Sequence, residues 1–165
     1  MRVLGIDPGT SRIGYGLIGD SGGSQWLIAY GVLEIRSGTD VERIERLGER
    51  YARLLRKLRP QLVGIESLFF SKNRKTALAV SQARGALILA TRQARIPVYE
   101  LGPGAVKLSV AGDGRADKRA VARMVARLLR TGALEGHDDA SDALAVALAT
   151  AQVRAARRRL ASASD

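Results

Sequence analysis

Two apolar words in this chain end in the same unexpected way. VLGID at 3–7 and LVGIE at 62–66 each carry apolar residues into Gly-Ile and then into a carboxylate, Asp7 and Glu66. An ionised acid taken out of water costs several kcal/mol unless something pairs with it. Asp7, ahead of Pro-Gly, can be read as a turn former or as a cation ligand. Glu66 fits the turn reading less well, because Glu is a poor turn residue. A third anomaly is HDDASDALAVALA at 137–149, where Asp142 opens an apolar run and Asp139 stands three residues earlier. That spacing puts both carboxylates on one helix face. First-turn acids complement a helix dipole, and Asp138 fits that role. Capping does not account for an Asp directly ahead of Ala-Leu-Ala-Val on the face that should turn inward.

If Asp7, Glu66, Asp139 and Asp142 converge, their repulsion is large: two like charges ~4 Å apart cost up to ~4 kcal/mol at an effective dielectric of 20. Protons or divalent cations must then share the cluster. Two cations ~4 Å apart would activate a water and stabilise the leaving oxygen of a phosphodiester. The chain has no cysteine and one histidine, His137. A metal here is therefore held by oxygen, which selects Mg²⁺ or Mn²⁺.

The elements that must position these acids follow from periodicity and punctuation. Residues 3–6, 13–19 and 26–35 read as strands in an antiparallel meander, broken by the turn-rich GDSGGS at 19–24. A long amphipathic helix starts near Thr39 or Asp40, with Val41, Ile44, Leu47, Tyr51, Leu54, Leu55 and Leu58 on its apolar face, and stops at Pro60. A strand at 62–66, a small-residue helix at 74–95, a strand at 96–101 and a short helix at 105–110 come next. An amphipathic helix at 118–130 and a final apolar helix at 138–151 close the series. This order indicates one α/β domain over residues 1–152, a mixed sheet flanked by helices. Residues 153–165, VRAARRRLASASD, read as a basic, disordered tail with little to bury.

Composition narrows the partners. The 165 residues include 27 basic and 16 acidic ones, a formal charge of +11, and 22 of the basic residues are Arg. Arg favours planar oxyanions such as phosphate, and a domain this basic points to nucleic acid ahead of anionic membrane. No apolar run approaches the ~20 residues of a spanning helix. No cleavable leader is read at the start, so the cytoplasm is the expected location.

Taken in order, GIDPGT with RIGYG at 12–16, GIESLFFSKN at 64–73, QARGA at 82–86 and DASDALAVALA at 139–149 make the chain resemble the RuvC-type Holliday junction resolvases of the RNase H-like superfamily. The resemblance runs to about Gln152. It implies a mixed five-stranded RNase H-like sheet and a homodimer. It implies an Mg²⁺-dependent endonuclease that resolves four-way DNA junctions by paired nicks in recombination and repair. The family's four catalytic, metal-binding acids fall on Asp7, Glu66, Asp139 and Asp142, with two ions per site. A branch-migration complex of the RuvA and RuvB type is the implied partner. The helix carrying Ala79, Ala83, Gly85 and Ala86 is the implied twofold contact; packing onto its own sheet is the plainer reading of those small residues.

Phe69 and Phe70 are the only two Phe residues, adjacent and followed by Lys72, Arg74 and Lys75. One can staple the next helix into the core, while the other can stack on an unpaired base, worth ~1–3 kcal/mol. By resemblance Phe69 is the wedge at the junction centre, and Phe70 is left to packing. Lys107 and Lys118 match basic positions that the family uses near the scissile phosphate. Lys118 also opens a ridge with Arg119, Arg123, Arg127 and Arg130, part of which reads simply as a solvated helix face. Three rivals differ. Actin-like ATPases share the DPGT word but need a second such loop and a longer chain. YqgF-type nucleases lack the FF-x-K-N loop. A non-catalytic DNA-binding module would not need the four acids.

Overall fold

A computed structural model describes residues 1–67, 74–132 and 138–163, with the side chains of residues 74–76 outside that description. The chain runs β1 (Arg2–Asp7), β2 (Arg12–Ser21), β3 (Ser24–Glu34), α1 (Asp40–Leu58), β4 (Leu62–Glu66), α2 (Arg74–Gln93), β5 (Val98–Leu101), α3 (Pro103–Ala111), α4 (Lys118–Leu129) and α5 (Asp138–Ser162). Five strands form one sheet in the order β3-β2-β1-β4-β5. The meander is antiparallel, whereas β1, β4 and β5 are parallel. The sheet is mixed, as the element order indicated.

Alternation along the strands feeds two cores. Leu4, Ile6, Ile13, Leu17, Val63 and Ile65 face α1 and α2, where Leu47, Tyr51, Leu54, Leu55, Ala83 and Leu87 meet them. Val3, Ile18 and Leu62 face the opposite way, towards α3, α4 and α5. Helix α1 begins with a capping box in which Thr39 and Glu42 satisfy each other's backbone N–H groups, and it ends at Arg59 in the left-handed region, one residue before Pro60. The buried hydroxyl of Tyr51 pairs with Thr91 Oγ1 at 2.9 Å, so neither polar group is left unsatisfied between the two helices.

Helix α5 lies across the middle of the sheet and is buried from Ala140 to Ala151 with few breaks. Its close seating needs glycine beneath it. A Cβ at Gly5 would overlap the backbone of Ala143 and Ala147. Fully burying Leu144 and Leu148 contributes roughly 1.5–3 kcal/mol each and holds the helix in register with β1 and β2.

Two expectations are corrected. Val41 is 77 % exposed; it falls in the first turn of α1, beyond the part of the helix that reaches the sheet. Residues 153–162 are helical, not a disordered tail. Val153 packs against the core, and the Arg157 guanidinium lies 4.7 Å from the centre of the Tyr99 ring. Ala and Arg are strong helix formers, so these anchors suffice to carry α5 onward.

Candidate active site

The parallel pairing of β1 with β4 matches Ile6 to Ile65. The next residue on each strand is an acid, so Asp7 and Glu66 sit side by side at the same sheet edge. Both Ile side chains belong to the α1–α2 core; with a period of two, both carboxylates therefore point to the α5 face. The first turns of α5 descend onto that face. A Cβ at Gly14 of β2 would overlap the Asp139 carbonyl, so glycine there lets the N-terminus of α5 come down onto the strand. Asp139 and Asp142 thereby reach the two strand-end acids.

Electrostatics record the convergence. Burial, and then the charges of Glu66, Asp142 and Asp139, push the Asp7 carboxyl up to about 7, against the opposing pull of Lys118. Burial and Asp142 also raise Glu66, while Lys107 acts the other way. Asp139 accepts two hydrogen bonds on Oδ2, from Arg12 Nε at 2.9 Å and Nη2 at 2.6 Å. Lys118 Nζ lies 3.0 Å from Asp142 Oδ2 and 3.4 Å from Asp138 Oδ2. Burial disfavours the Lys118 ammonium, but its bonds and charges with Asp142 and Asp138 hold its pKa above the ordinary lysine value. Arg12 likewise rises, chiefly through its bond to Asp139. A cleft of about 260 Å³ opens beside the acids, lined by Glu66, Lys107, Lys118 and Asp142 over a floor of Val106, Val121 and Ala145.

The four sequence-read acids thus share one sheet edge, and Lys107 and Lys118 join them. Asp138 is exposed and faces Lys118, consistent with a first-turn acid. Arg119 is exposed on α4. Phe69, Phe70, Lys72 and His137 lie outside the described residues, as do the side chains of Arg74 and Lys75. Arg12 was not singled out by its residue type. The available signal was its position: a cation opening a buried strand within RIGYG, at the same edge as Asp7.

The donor set suits a hard divalent cation: it is all oxygen, and Asp7 is raised by burial and then by the neighbouring acids, whose mutual repulsion such an ion would relieve. As placed, Asp139 is turned to Arg12 and Asp142 to Lys118. Among the described residues no group of three or more acids or histidines stands ready to hold one ion. Uptake of such an ion would require these carboxylates to be shared with, or released by, their cationic partners.

Comparison with known proteins places this geometry. The family model described as crossover junction endodeoxyribonuclease RuvC matches residues 3–150. The crossover junction endodeoxyribonuclease RuvC of Chloroflexus aggregans is 44 % identical over 149 residues, covering 90 % of this chain and 91 % of the relative. The structure of Thermus thermophilus RuvC in complex with a Holliday junction substrate superposes with a TM-score of 0.84 at 34 % identity, covering 90 % of this chain and 92 % of that one. A yeast mitochondrial Holliday junction resolvase shares the fold at a TM-score of 0.72 and 12 % identity, over 93 % of this chain and 78 % of its own.

Proposed function

The chain belongs to the RuvC family of crossover junction endodeoxyribonucleases, and from that membership we propose that it resolves four-way DNA junctions by symmetric paired nicks at the Asp7–Glu66–Asp139–Asp142 cluster. The observation that carries this reading is the convergence of acids from three elements: Asp7 and Glu66 at neighbouring strand ends, Asp139 seated over Gly14 of β2, and Asp142 lining one cleft with Glu66. Two Mg²⁺ ions held by these four carboxylates, or Mn²⁺ in their place, would supply Lewis-acid stabilisation and an activated water.

The chain's own residues do the rest. Lys107 and Lys118 border the cleft beside Glu66 and Asp142 and offer ammonium groups to the non-bridging oxygens of the scissile phosphate. Val106, Val121 and Ala145 make the floor of the cleft apolar, which lowers the polarity on one side of those charges. Arg12 orients Asp139 through its two hydrogen bonds to Oδ2. Phe69 stacks on a base opened at the junction centre, and Lys72, Arg74, Lys75 and Arg119 contact backbone phosphates.

A single site cuts one strand, so paired nicks on a twofold junction call for a twofold pair of sites. The reading therefore includes a homodimer. Leu78, Gln82, Gly85 and Leu89 of α2 fall on one exposed stripe, with Leu78 63 % and Leu89 59 % accessible, and that stripe is a suitable contact. The domain is read as residues 1–152 with the basic end of α5 appended. Among the described residues no helix is long and apolar enough to cross a membrane; the proposed place of action is the cytoplasm. A branch-migration complex of the RuvA and RuvB type shares the junction in this reading.

The test is incubation of four-way, linear duplex and single-stranded DNA with the protein in Mg²⁺ or in EDTA. Symmetric paired nicks on the four-way substrate alone, abolished by EDTA, are expected. Equal cutting of all three substrates, or cutting in EDTA, contradicts the reading.

A further inference from the structure

A second basic feature lies on the same sheet edge, two strands from Asp7. The turn between β3 and α1 is drawn in by Ile35, which is 4 % exposed and whose N–H donates to the Ser11 carbonyl at 2.8 Å. Beside it is a cleft of about 240 Å³ lined by Glu34, Ile35, Arg36, Ser37, Arg46 and Arg50. Arg46 Nη1 donates to the Ser37 carbonyl at 2.9 Å and to Ser37 Oγ at 3.1 Å, and Arg50 Nη1 donates to the Glu34 carbonyl at 2.7 Å. Arg36 pairs with the Glu34 carboxylate. The cleft therefore gathers three guanidinium groups against one carboxylate. Glu42, which Arg46 also faces, is engaged by the N–H of Thr39.

We infer that this cleft is a phosphate subsite that seats one backbone phosphate of the bound DNA strand, displaced along the strand from the bond that is cut. The inference rests on the junction-nuclease reading and adds to it a place the strand must cross. Each guanidinium carries five N–H donors, and the bonds to the turn use a single nitrogen of Arg46 and of Arg50. These bonds fix both groups on one wall, so less side-chain entropy is lost when an anion arrives. Gathered guanidinium groups repel one another, and a phosphate that bridges them relieves that repulsion with charge-assisted hydrogen bonds.

Position identifies the anion as part of the same strand. Arg12 pairs with Glu34 across β2 and β3, so Arg12 continues the line from the carboxylates to the cleft. Lys107 and Lys118 flank the carboxylates on the other side. Adjacent strands lie about 4.8 Å apart, so β3 is roughly 10 Å from β1. That separation exceeds the spacing of neighbouring phosphates along one strand, so the phosphate seated here is not the one next to the bond that is cut.

The experiment measures junction affinity as a function of KCl, in EDTA so that no strand is cut, for the full chain, the Arg46→Gln/Arg50→Gln double variant and Arg36→Gln. Arg36 pairs with a side chain, so its replacement leaves the turn's backbone bonds in place. Each variant is expected to bind about three- to tenfold more weakly near 0.1 M salt, with a salt slope lower by about one. A single neutral methylphosphonate is then stepped along the strand on either side of the cut. It should weaken the unaltered protein at one position away from the cut and have no further effect there on the double variant. Unchanged slopes, or full additivity of the methylphosphonate with the double variant, overturn the subsite. Nicking by the unaltered protein in Mg²⁺ separates the two claims. Without it the function and the subsite fall together; with it, an unchanged slope removes the subsite alone.

Discussion

Arg12 and Asp139, 127 residues apart in sequence, are joined by two hydrogen bonds from one guanidinium to one carboxylate oxygen. The pair ties the start of β2 to the first turn of α5. Because both bonds use Oδ2, the orientation of the carboxylate is set while Oδ1 can be offered to the site. Groups that hydrogen-bond to a ligating carboxylate typically govern metal affinity or activity by 10- to 100-fold. Arg12→Gln is therefore expected to slow junction nicking by at least about tenfold. Its melting temperature should hardly change, since the Arg12 side chain is 48 % exposed and such pairs contribute about 0–1 kcal/mol. Parallel single-turnover nicking and thermal melts check the split.

Asp7 gives a stability prediction with a definite sign. Its carboxyl is raised from 3.8 to about 7 in the folded protein, so the folded state holds this proton more tightly than the unfolded chain. The destabilisation is absent below pH ~4, grows as pH rises, and is complete above pH ~7. The shift corresponds to at most ~4 kcal/mol. In chelator, Asp7→Asn should unfold at higher denaturant concentration than the unaltered protein at pH 8, and the gap should close by pH ~4. Nicking should be abolished while junction binding persists.

Divalent ions should reverse the same destabilisation. Millimolar Mg²⁺ or Mn²⁺ is expected to raise the melting temperature of the unaltered protein and to leave Asp7→Asn nearly unmoved. Because ion uptake must displace the Asp7 proton, apparent affinity should strengthen with pH up to about 7 and then level off. Isothermal titration in two buffers of different ionisation enthalpy measures the released proton.

The seating of α5 can be tested apart from the chemistry. Gly14→Ala places a methyl group where the Asp139 backbone lies. Overpacking of this kind costs typically 1–3 kcal/mol, and the displaced helix end carries Asp139 and Asp142 with it. Nicking should fall further than the stability loss alone explains, as activity measured well below the melting temperature will show.

Phe69→Ala should leave ion-dependent stabilisation intact and lose nicking, because a base-stacking contact of ~1–3 kcal/mol is removed. Undiminished nicking refutes the wedge role.

Much of this site was legible because its physics is local. Asp7 and Glu66 stood out as acids closing apolar strands, and Asp142 as an acid opening an apolar helix. Lys107 and Lys118 came instead from the family resemblance, and the structure lines the cleft with both. Arg12 was missed because a charged residue at a strand start looks like any solvated end; its role depends on Asp139 arriving from the far end of the chain. Val41 was misread because helical spacing says which face a residue occupies, not how far the sheet extends beneath it. The helical run past residue 152 was missed for a related reason: the Arg157–Tyr99 contact is tertiary, and composition alone registers only a basic, alanine-rich end. The arginine cleft was equally hidden, since Arg36, Arg46 and Arg50 meet only once the β3–α1 turn folds back on the helix.

The central claim is that four carboxylates from β1, β4 and α5 form one site for divalent cations. Anomalous diffraction from Mn²⁺-soaked crystals tests it most directly. Two peaks about 4 Å apart, bounded by Asp7, Glu66, Asp139 and Asp142, are expected. Peaks elsewhere on the molecule, or none at this edge of the sheet, contradict it.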